Sequence, residues 1–172
     1  MRLADFRPLL AWGLLALAGP ALAGLLNAEP EGGYPENPTP TAPAFDVAKA
    51  IPIALSASSS IAMGIDPATI TVESDGIVRY VAIARSTAGN AVTATYEGIR
   101  CATAEVKVYA RHYPDSGWRD VTEPKWQSLY DNGPMRYSMP IAKAGICRDA
   151  SSGGSAAQIV LNLRNDLLRL NP

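Results

Sequence analysis

The sequence predicts an α+β domain: an antiparallel sheet of about four strands packed against a C-terminal helix, with one disulfide. Three observations predict it. Residues 76–110 hold the densest alternation of apolar and polar side chains, interrupted by two short turns. Residues 156–170 repeat apolar side chains at helical spacing. The chain has two cysteines, Cys101 and Cys147, and in an oxidising compartment an isolated pair defaults to a disulfide.

An export signal opens the chain. Arg2 and Arg7 precede an apolar run over residues 9–18, Gly19-Pro20 breaks it, and Ala21-Leu22-Ala23 forms a small-x-small cleavage site. The run falls short of the ~20 residues that cross a bilayer, so residues 1–23 are expected to be a cleaved signal peptide, with no stable membrane insertion afterwards. The first cysteine is Cys101, which rules out lipid attachment at a new N-terminal cysteine. The expected location is periplasmic, not as a lipoprotein. Losing Arg2, Arg7 and Asp5 takes the 15 basic and 16 acidic side chains to 13 and 15. That near-balance argues against nucleic acid, whose phosphates call for a basic surface.

Residues 24–44 include Pro30, Pro35, Pro38, Pro40 and Pro43, too many missing N–H donors for helix or sheet, and are expected as a disordered or extended linker. Residues 45–172 are expected to form one globular domain. Residues 45–53 read as an edge strand or a covering segment, with Pro52 keeping them off a central position. Asp66-Pro67 launches a short strand at 70–73, and Ser74-Asp75-Gly76 turns it into a strand at 77–85.

Residues 86–90 close the next hairpin. Setting Arg85 opposite Ala91 puts Tyr80 opposite Tyr96, Arg79 opposite Glu97 and Ile77 opposite Ile99. A third strand follows a turn at 101–104. This register collects Val78, Tyr80, Ala82, Val92, Ala94, Tyr96, Val106 and Val108 on one apolar face. Arg79, Glu97, Lys107 and Tyr109 fall on a mixed face, where Arg79 and Glu97 read as a cross-strand ion pair.

Beyond the turn at residues 112–117, Trp118 and Trp126 stand eight positions apart with several tyrosines nearby. Aromatics at that density fill a core or offer a stacking platform. Residues 123–130 read as a short helix, and Pro140 and Gly145 make the approach to Cys147 irregular. The last helix starts at a Ser155-x-x-Gln158 capping box, with Ala156, Val160, Leu163, Leu167 and Leu170 forming its apolar stripe.

Catalytic signatures are missing. His112 is the lone histidine, and no G-x-S-x-G elbow, phosphate-cradling glycine loop, C-x-x-C pair or calcium loop occurs. No cofactor or metal is expected.

Four stretches, G-I-V-R-Y-V at 76–81, R-S-x-x-G at 85–89, Y-E-G-I-R-C at 96–101 and E-x-K-x-Y-A at 105–110, together with Asp66, Trp118, Trp126 and Cys147, resemble the cryptic neisserial protein-like family of exported proteins. The resemblance covers roughly residues 45–170. It implies an exported domain and brings no catalytic residues with it, the family being functionally uncharacterised. The function expected is a non-enzymatic periplasmic or cell-envelope module that binds or scaffolds an envelope protein or glycan. Its candidate binding residues are Arg79, Glu97, Arg100, Tyr109, Trp118 and Trp126. The alternative is a small envelope hydrolase using Glu97 with Arg79 or Arg100, which requires an open cleft at Glu97.

Overall fold

The computed structural model describes residues 33–170 except 57 and 90. The expected signal peptide and the first part of the proline-rich segment lie outside the described residues. The chain divides into two units, Met1–Tyr34 and Pro35–Pro172. The second carries the fold.

Residues 35–44 form neither helix nor strand. After them, Asp46 caps a single 3-10 turn at Val47–Lys49 by accepting the Ala48 N–H. Strand β1 (Ile51–Ile53) pairs with β2 (Ile61–Ile65), and Pro52 sits on this sheet edge, where its missing N–H breaks no ladder. Strand β3 (Thr71–Val72) turns into β4 (Ile77–Ser86) through the expected Ser74-Asp75-Gly76 loop, with Gly76 at φ 71°. Then come β5 (Val92–Arg100), β6 (Glu105–Tyr113), β7 (Gly117–Asp120) and β8 (Gln127–Ser128).

All eight strands join one sheet in the order β1-β2-β4-β5-β6-β7, with β3 also on β4 and β8 also on β6. The expectation of about four strands is too low. The additional strands are short and show little alternation, so their extended form comes from the ladder they join rather than from their own pattern.

The central register differs from the expected one by one residue. Arg85 pairs with Val92, because the Ser86 N–H already bonds the Ala91 carbonyl at 3.0 Å and draws Ala91 into the turn. Tyr80 therefore lies opposite Glu97, Arg79 opposite Gly98 and Ile77 opposite Arg100. A one-residue slip moves every side chain of a strand to the other face. Val92, Ala94 and Tyr96 thus leave the face of Val78, Tyr80 and Ala82, and Arg79 and Glu97 end on opposite sides of the sheet. The cross-strand ion pair expected between them does not exist.

Two cores result. On one face Val78, Tyr80, Ile99 and Val106 meet Ile159 and Leu163 of the last helix. On the other, Val81, Ile83, Tyr96 and Tyr109 are covered by Ala42, Phe45 and Val47 from the N-terminal segment. Between Tyr96 and Glu97 the β5–β6 ladder carries a bulge that inserts Tyr109.

Residues 123–130 form no helix: Gln127 and Ser128 extend along β6. The helix lies later, as α1 (Ser138–Ile141) running into a π turn over Ala142–Ile146. Pro140 is tolerated in the first turn, and Gly145 breaks the helix at φ 146° where a Cβ would stand 2.5 Å from Asn162 Cβ. The hairpin β9 (Cys147–Arg148) and β10 (Ser151–Ser152) leads to α2 (Ala156–Leu170), whose start is held by Ser155 Oγ accepting the Gln158 N–H at 3.3 Å. The expected disulfide joins Cys101 to Cys147 across 46 residues, a closure that stabilises by about 4 kcal/mol in the chain-entropy model.

Candidate functional site

The face of the sheet covered by the N-terminal segment gathers most of the residues expected at the site. The β5–β6 register places Lys107 opposite Gly98 and Glu105 opposite Arg100, so Arg100 and Lys107 project to the same side. Gly98 has no side chain to fill that face, and the Tyr109 ring takes the space: a Cβ at residue 98 would lie 2.8 Å from both Tyr109 Cε2 and its hydroxyl oxygen. Pairing of β8 with β6 brings Trp126, the residue before β8, over the same place. The guanidinium of Arg100 stacks 4.0 Å from the Trp126 ring centroid and Lys107 Nζ lies 4.8 Å from it, both within cation–π range.

Into this cage comes Glu36. Its carboxylate accepts from Lys107 Nζ at 2.6 Å, from the Tyr109 hydroxyl at 3.1 Å and from Trp126 Nε1 at 3.2 Å, and Arg100 stands 3.9 Å away. Burial pushes the Glu36 carboxyl up, but the hydrogen bond and charge of Lys107, with the bonds from Tyr109 and Trp126, outweigh it and hold the group below the usual carboxylate range. Glu36 is therefore a fixed anion. The Tyr109 hydroxyl is pushed well above its ordinary value, by burial first and then by the Glu36 charge, so it stays a donor.

A second ion pair adjoins the first. Arg79 donates to Asp75 at 2.7 and 3.3 Å, and neither side chain is exposed. Asp75 also accepts the backbone N–H groups of Asn37 and Ile77, each at 3.0 Å. Burial raises the Asp75 carboxyl, yet Arg79 and those two N–H groups bring it below its ordinary value. Asn37 is gripped further by Glu73, which accepts its amide at 3.0 Å, and by Arg79, which reaches its carbonyl at 3.5 Å.

Arg79, Arg100, Tyr109 and Trp126 thus meet around one short segment. Glu97 does not, and Trp118 meets that segment only at its far end. Trp118 sits with Phe45 and His112, ring centroids 5.6 and 5.2 Å away, and its Nε1 donates to the Pro43 carbonyl at 3.1 Å. It anchors the other end of the same segment. Glu97 lies on the helix side of the sheet, fully buried, accepting from Thr95, Tyr137 and Tyr80 at 2.5, 2.6 and 3.1 Å. Burial raises its carboxyl, and those three hydroxyls offset only part of the rise. The hydrolase constellation does not assemble: Glu97 lines none of the cavities described, and Arg79 lies across the sheet from it.

Sequence reasoning passes over Glu36. A signal was there, since Glu36 is the lone charged side chain between residues 32 and 45, set between Pro35 and Pro38. Among the described residues no group of His, Cys, Asp and Glu has the makings of a metal site, and no helix is long and apolar enough to cross a membrane.

The model of the CNP1-like family matches residues 29–164. The chain belongs to that family. The CNP1-like match takes in Glu36 as well as the sheet and most of α2, so the segment carrying the caged carboxylate lies inside the family's domain. No curated protein and no solved structure matches the chain.

Proposed function

We propose that this CNP1-like domain is an exported, non-enzymatic binding module that recognises a carboxylate, with Arg100, Lys107, Tyr109 and Trp126 as its recognition floor. The observation that carries the reading is the cage around Glu36: one carboxylate takes three donors from β6 and the β8 approach, with a second cation 3.9 Å away. Charge-assisted bonds of this kind are roughly twice as strong as neutral ones and set the geometry of carboxylate recognition. The groups present bind and orient. Neither Glu36, held ionised, nor the Tyr109 hydroxyl, held protonated, is poised to transfer a proton. Work in the periplasm or cell envelope fits the signal sequence expected at residues 1–23 and the disulfide, and the partner proposed there is an envelope protein or glycan carrying the anion.

The test empties the cage in the full chain. N-acetylglutamate amide is titrated into the Glu36→Ala protein while the Trp126 indole N–H is followed by NMR. A saturable shift is expected in Glu36→Ala and none in Glu36→Ala/Lys107→Met. A linear, unsaturable response in both would sink the reading.

A further inference from the structure

Resting on that carboxylate reading, we propose that residues 35–44 are a built-in occupant of a peptide site. The ligand they stand in for is an extended peptide of another exported chain, bearing a glutamate preceded by proline.

The floor reads more than a charge. Next to the caged Glu36 side chain, Asn37 is held through its backbone, its N–H donated to Asp75 at 3.0 Å and its carbonyl accepting from Arg79 at 3.5 Å. Backbone contacts of this type are open to any peptide in the same conformation, while the cage supplies selectivity for the acidic side chain. Pro35 and Pro38 suit an extended ligand, since each presets φ and removes an N–H that would otherwise need a partner.

The segment is pinned at its ends and exposed between them. Glu36 and Asn37 hold one end; Trp118 bonding the Pro43 carbonyl, with Phe45 packed beside it, holds the other. Residues 38–41 are all exposed. Thr39, Pro40 and Thr41 line a cavity of about 260 Å³ together with Tyr96, Tyr109 and Ala110 of the sheet. Lifting the Glu36 end therefore gives up the polar contacts, which an incoming acidic peptide restores, and few apolar ones. As a tethered competitor the segment acts at an effective concentration on the order of millimolar, so it sets a threshold that the partner must exceed.

The experiment uses a fluorescein-labelled, end-blocked peptide of residues 35–40, in fluorescence polarisation with the full chain. Glu36→Ala is expected to bind it at least tenfold tighter than wild type does, and Lys107→Met added to Glu36→Ala to abolish that gain. The same peptide with glutamine at position 36 is expected to lose at least tenfold. The peptide is also expected to outbind N-acetylglutamate amide at least tenfold, through the Asn37 contacts. Should Glu36→Ala fail to fold, Glu36→Gln takes its place. If peptide and N-acetylglutamate amide bind alike, the peptide inference falls and the carboxylate reading stands. If neither binds, both fall.

Discussion

Replacing Asp75 with asparagine removes the negative charge from a pair whose two side chains have no exposure at all. Breaking a buried pair by deleting one charge costs about 3–5 kcal/mol, because the partner is left charged and out of water. Arg79 has a second anion, Glu73 at 3.6 Å and one-third exposed, and an asparagine oxygen can still accept one of the two N–H groups that Asp75 now serves. Both features push the expected loss to the low end, about 3 kcal/mol. For a domain of this size that is a fall of about 10 °C in Tm. Urea unfolding followed by tryptophan fluorescence measures it, with the slope expected to stay constant. The double variant Asp75→Asn/Arg79→Met should regain at least half the loss, since the stranded charge is then gone. A single-variant cost below about 1 kcal/mol, the range of exposed pairs, would refute the argument. So would a double variant no more stable than the single one.

Glu97→Gln is expected to change the pH profile of stability. The folded carboxyl of Glu97 is raised by burial, so its contribution is full below the ordinary carboxylate value of 4.5 and is lost as pH rises through the folded value. Wild type should therefore show a falling component in that window that the glutamine variant lacks; superimposable profiles from pH 4 to 8 would rule this out. Gly98→Ala should cost about 1–3 kcal/mol by overpacking and lift Tyr109 off Glu36, because the new Cβ would meet the ring at 2.8 Å. Thermal melts read the first effect and the Trp126 indole N–H resonance the second. An unmoved resonance would mean that Tyr109 does not depend on the missing side chain.

The elements legible in the sequence were those whose own pattern suffices. The Gly76 turn, the three long strands and the Ser155-capped helix each carry a local signature, and the cysteine pair needed only its compartment. The register did not. Separation of apolar from polar side chains is a sound test where one face meets water, but here both faces are buried, so two registers one residue apart each leave a mostly apolar set inside. That slip hid the site, because it paired Arg79 with Glu97 and left Lys107 as a bystander. Arg79, Arg100, Tyr109 and Trp126 were still picked out by residue type. Glu36 was not, since a proline-rich segment reads as linker whenever its partners are 70 to 90 residues away, as Lys107, Tyr109 and Trp126 are.

The cage constrains how the site can open. Lys107 has a side-chain exposure of 11%, and among the described residues Glu36 is its one salt-bridge partner. Withdrawing Glu36 with nothing in exchange would strand that ammonium much as Asp75→Asn strands Arg79, and the same penalty applies in smaller measure because Lys107 keeps some water. On the proposed carboxylate reading the segment exchanges rather than lifts: the empty cage is a high-energy state, and an incoming group that lacks negative charge cannot relieve it. Arg100, shared between Glu36 and Glu105, softens the penalty without removing it. On that same proposal, recognition follows from this asymmetry. An uncharged aromatic or sugar face offered to Trp126 must displace Glu36 and bring nothing for Lys107, whereas a carboxylate meets donors already arranged for it.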